Sequence, residues 1–156
     1  MFSWDVASFY VLIVTAALLF YVAVNDLRQF QIRNELVLVL AGLYFLHAAL
    51  SGRWIEMHWH LGLALIGFLG MLYYYRFGLI GGGDLKLMTV ALLWAGVHCA
   101  LPFLVIVVVV ALLQAGAGKL GWVKSLEVGG RMKIAFAPSI AAGLIGIFML
   151  GCLAPV

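Results

Sequence analysis

Apolar stretches recur at Val6 to Val24, Leu36 to Leu50, Leu61 to Tyr75, Leu85 to Val97, Leu101 to Ala115 and Ile134 to Leu153, separated by short polar segments. With 67% hydrophobic and 10% charged residues, the chain far exceeds the roughly 45–50% apolar content of soluble domains. Lipid offers no hydrogen-bond partner to a backbone, so stretches like these must close their bonds within helices. The pattern predicts an all-α integral membrane protein, a bundle of six transmembrane helices forming a single domain over residues 1–156. Several stretches are shorter than the roughly 20 residues of a straight span. Trp54, Trp59 and the run Tyr73, Tyr74, Tyr75 suit an aromatic belt that carries them into the interface.

The segment from Leu85 to Ala115 reads either as one helix or as two. A single helix would be about 46 Å long against a hydrocarbon core of about 30 Å, and Pro102 suits the first turn of a new helix. Two spans, broken around Gly96 to Pro102, are therefore expected. Charge agrees: with the amino terminus outside, Arg28, Arg33, Arg76, Lys86, Lys119, Lys124, Arg131 and Lys133 all fall in cytoplasmic segments and only Arg53 lies opposite. Both termini are then extracytoplasmic. Asp5 stands where a signal peptide would carry cations, so the first stretch reads as a permanent span. A net charge of +3 dispersed among short loops points to no nucleic-acid partner. Cys99 and Cys152 lack CxxC spacing and read as small buried hydrophobes. Ala142 with Gly146, and Gly67 with Gly70, read as small residues that let helices approach.

Ionisable groups at the edge of hydrocarbon are expensive and mark function by default. Asp84 follows Gly81, Gly82 and Gly83 at the start of the fourth stretch, and Asp26 sits at the end of the first. Between them the chain crosses twice, so both carboxylates end on the cytoplasmic side at matching depth. A pair of close carboxylates shares a proton and acts as acid and base together, the arrangement that hydrolyses peptides in aspartic proteases. The glycines allow positive φ, a tight turn or close approach of a substrate backbone. Taken singly, Asp84 also reads as a helix N-cap and Asp26 as a solvated loop acid beside Arg28 or Arg33.

Asp26, Leu27, Arg28, with Ile32 and Asn34 after them, resemble the first motif of the type IV prepilin peptidases. Gly81, Gly83 and Asp84, followed by Lys86, resemble the second, the Gly-x-Gly-Asp motif of aspartic membrane peptidases. Ala137, Pro138 and the apolar residues to Leu144 resemble the start of that family's last helix. Arg33 stands where the family usually has proline. The resemblance implies Asp26 and Asp84 as the catalytic pair; Gly81, Gly83, Lys86 and Asn34 at the substrate; no metal and no cofactor. It further implies a prepilin partner whose basic leader is removed on the cytoplasmic side of the inner membrane. The chain looks most like the compact enzymes of tight-adherence (Flp-like) pili. With Asn25 to Glu35 too short for a soluble domain and no paired CxxC motifs, peptidase activity without methyltransferase activity is expected.

Two other readings compete. Glu56, His58 and His60 have donor chemistry for a metal but lie on the face opposite the acids, and His47 and His98 read as isolated packed or interfacial side chains. A non-catalytic scaffold or an ion-coupled transporter would use Asp26 and Asp84 to bind ions instead.

Overall fold

Residues 2–29 contain neither glycine nor proline, and nothing interrupts the helix their apolar run demands. In a computed structural model, which describes residues 2–52, 54–120, 126–128, 131–133 and 135–152, that helix is α1 (Phe2–Gln29). It is followed by α2 (Asn34–Leu50), α3 (Trp54–Arg76), α4 (Gly82–Lys119), a hairpin of β1 (Leu126–Val128) and β2 (Arg131–Lys133), and α5 (Ala137–Met149). The described chain is thus helical apart from the hairpin, in which Leu126 pairs with Lys133 and Val128 with Arg131; this hairpin was not expected. Val6–Gln29, Trp54–Arg76 and Gly82–Gly118 are long and apolar enough to cross a membrane, while α2 and α5 are shorter apolar helices. Apolar side chains face outward as well as inward: Phe20, Leu65 and Leu112 are exposed, whereas Leu19, Leu40, Trp94, Phe103, Ile140 and Ile147 are fully enclosed. That all-round pattern is what a lipid-facing helix shows.

α4 is not one rod. Gly96 has φ 63° and ψ −179° inside it, a region open to glycine almost alone, and a Cβ there would overlap the His60 imidazole. The expected break is therefore real but sits on Gly96, with Pro102 in the second turn of the resumed helix rather than the first. Contacts on either side show that the halves run in opposite directions. The first half packs along α3, with Gly82 beside Tyr75, Gly67 beside Leu92 and His60 beside Gly96. The second half packs along α5: Cys99 is joined to Cys152, Gly146 lies on Ile106, Gly143 on Phe103 and Val107, and Ser139 bonds Gln114. Lipid is as apolar as leucine, so close packing of this kind holds helices together where the hydrophobic effect cannot. Gly146 and Gly67 thereby take the packing role expected of them.

The cysteines depart from expectation. Cys99 and Cys152 form a disulfide across 53 residues, and their Cα atoms are 6.1 Å apart. They are not merely small apolar fillers; they tie the bend of α4 to the end of α5.

Candidate active site

Asp26 lies in the last turn of α1, which continues to Gln29, so the connection to α2 shrinks from the expected Asn25 to Glu35 to residues 30–33. Phe30 ends the helix with φ 51°, and its N–H donates to the Asp26 carbonyl at 2.8 Å. Non-glycine residues take that conformation at a cost of about 1–2 kcal/mol, so the turn directly after the acid is strained. Asp26 is no solvated loop acid: its side chain is only 4% exposed, and Arg33 pairs instead with Glu35 at 2.6 Å. Asp26 Oδ2 accepts from the N–H of Ala137, the first residue of α5, at 3.0 Å. Helix starts leave amides without partners. Here Ser139 and Ile140 donate to the Phe136 carbonyl, Pro138 has no N–H, and Asp26 takes the remaining amide from another helix, since Phe136 carries no side-chain cap.

Asp84 is the third residue of α4, not its N-cap; Gly81 holds that position with φ −72° and ψ 147°. None of Gly81, Gly82 and Gly83 has positive φ, which corrects one expectation. What they lack is a Cβ. At Gly81 a Cβ would stand 3.0 Å from Asp84 Oδ2, and at Gly83 it would stand 3.0 Å from Ile32 Cβ. One glycine leaves room for the half-buried carboxylate and the other lets the α1–α2 connection press against the start of α4.

That second contact brings the two acids to one end of the bundle. Ile32 follows Asp26 by six residues and touches Gly83, next to Asp84. Lys86 Nζ donates to Asn34 Oδ1 at 2.9 Å, fastening the start of α2 to the first turn of α4. All six residues singled out in the sequence thus gather at the end where α1 finishes and α2, α4 and α5 begin. Arg33, in the family's proline position, keeps φ −72° and ψ 130°, an angle that proline's ring also imposes.

At the other end His60, 9% exposed, shares a hydrogen bond of 3.0 Å with Tyr44 Oη. Tyr44 and His47 both pack on Trp94, whose indole N–H donates to the Leu40 carbonyl at 2.9 Å. His58 lies outward against Trp59, and His98 is exposed. His60 thus braces the bend at Gly96 instead of gathering with His58. The Ala137 amide was missed as a site group, because any residue supplies an amide and only the fold says where it points.

The sequence profile of the type IV leader peptidase family matches residues 13–116. The chain belongs to that family. It is therefore a membrane peptidase of type IV prepilin leaders, and the match includes Asp26, Asn34, Gly81, Gly83, Asp84 and Lys86 while ending before α5. No curated protein and no solved structure matches the chain.

Proposed function

We propose that this leader peptidase is of the aspartic type, with Asp26 and Asp84 as its catalytic pair. The observation that carries the reading is the meeting of both acid-bearing turns through Ile32 on Gly83 and Lys86 on Asn34. In the reaction one carboxylate takes a proton from water while the other, protonated, donates to the scissile carbonyl oxygen. The tetrahedral diol then collapses as the amide nitrogen is protonated and the C–N bond breaks. Gly81, exposed beside Asp84, gives an unwound substrate backbone access to that acid, Gly83 seats the Ile32 turn against it, and Lys86 and Asn34 border the entry.

The disulfide supports the orientation independently of charge. Disulfides persist outside the reducing cytosol, and Cys99 and Cys152 lie at the end of α5 opposite Asp26. The acid end, which also carries Arg28, Arg33, Arg76 and Lys86, then faces the cytoplasm of the inner membrane. Counting the halves of α4 separately yields six spans with both termini outside. Prepilins enter with their basic leader on that side, so the scissile bond and the acids share a depth. A connection of residues 30–33 holds no inserted domain, so the product of a Flp-like prepilin would be cut and not methylated.

Co-expression with a prepilin tests this, scored by the mass of the new amino terminus. The expected result is loss of the leader alone, abolished by Asp26→Asn or Asp84→Asn while each variant accumulates in the membrane. Cleavage that survives both substitutions would refute the aspartic pair.

A further inference from the structure

Ser139 is wholly buried in the first turn of α5, and its hydroxyl donates to Gln114 Oε1 at 2.7 Å, near the end of α4. Helical hydroxyls commonly bond back to the carbonyl four residues earlier, as Thr15 does to Val11 and Thr89 to Leu85. Ser139 instead reaches another helix. Two residues before it, on the same turn, is the Ala137 amide that holds Asp26.

The other links along this helix pair restrain α5 differently. Gly143 against Phe103 and Val107, and Gly146 against Ile106, are apolar contacts that resist separation more than rotation. The disulfide anchors only the far end. Ser139 to Gln114 is a side-chain hydrogen bond that joins α4 to α5 at the acid end. A rotation of about 25° moves an atom about 2.3 Å from a helix axis by about 1 Å. A shift of that size takes the amide out of line with a carboxylate oxygen.

We infer that Ser139 and Gln114 are a positioning pair: their hydrogen bond sets the rotation and height of α5 so that the Ala137 N–H meets Asp26 Oδ2 and orients that carboxylate for catalysis. The inference rests on the aspartic-peptidase reading of Asp26. It assigns the end of α4, far along the chain from either acid, a part in turnover.

The test uses the full-length protein in lipid with a purified prepilin. Ser139→Ala and Gln114→Met should each lower kcat by on the order of tenfold or more with KM little changed, because misplacement near 1 Å is costly to rate. The double variant should be no slower than the worse single one, since either change breaks the same bond. Gln114→Glu keeps an acceptor and should recover most of kcat. The Ala137 amide resonance, assigned through Ala137→Gly in 15N-alanine-labelled protein, should move in Ser139→Ala and in Gln114→Met but not in Gln114→Glu. If Ser139→Ala does not accumulate, Gln114→Met and Gln114→Glu give the same reading from the half-buried partner. Wild-type cleavage with kcat and the Ala137 resonance unchanged in the variants overturns the positioning role and leaves the peptidase reading intact. Wild-type protein that cleaves no prepilin overturns both.

Discussion

Away from the acids, the bundle is closed by a covalent link between Cys99 and Cys152, a glycine bend filled by the His60 ring, and a knot of Tyr44, His47 and Trp94. At the acid end hydrogen bonds link Asp26 with Ala137, Lys86 with Asn34 and Ser139 with Gln114, beside the apolar contact of Ile32 on Gly83 and the connections 30–33 and 77–81. The first end is built to hold a shape. The second carries strain at Phe30 and hydrogen bonds to backbone and side chains that, on the proposed function, a substrate backbone would compete for.

Substitution should separate the two. Gly96→Ala has the largest expected effect on the fold. It forces a left-handed conformation and drives a methyl into His60, each costing about 1–3 kcal/mol, and should sharply lower Tm and membrane yield. Cys99→Ser with Cys152→Ser comes next, with an expected loss of about 2–4 kcal/mol, read as a lower Tm with kcat kept within a few-fold, because Ser139 and Gln114 still hold the near end of α5. At the acid end, Lys86→Met or Asn34→Ala should leave stability within about 1 kcal/mol of wild type, the net worth of one exposed hydrogen bond, while raising KM for prepilin. The smallest effect is expected from Arg33→Pro. Its φ already suits proline, so stability should rise by about 0.4–1 kcal/mol, the exposed pair with Glu35 being worth little; a fall in Tm would show that the Arg33 backbone or side chain does more.

The all-helical, apolar character was legible because hydrophobic length dictates helices in lipid. Both acids stood out because charge is scarce at such depths. The break in α4 was legible only as a zone: length required it, but the His60 ring that selects Gly96 is brought there by α3. Of the two uses open to the glycines before Asp84, the structure shows close approach and not positive φ; residue type does not reveal whether glycine serves by its φ or by its missing Cβ. Three features left no local trace. The disulfide joins residues 53 apart without a motif, the Ala137 amide reaches Asp26 across 111 residues, and Asn25 to Gln29 continue α1 against a polar composition that reads as loop.

The proposed mechanism requires Asp26 and Asp84 to meet at the cytoplasmic end of the bundle. Asp26→Cys and Asp84→Cys, placed together in protein carrying Cys99→Ser and Cys152→Ser, put that to a physical test in intact membranes. Oxidation should join the two thiols within one chain, and before oxidation both should react with an impermeant maleimide only from the cytoplasmic face. Thiols that label from opposite faces, or that never join under oxidant, would contradict it.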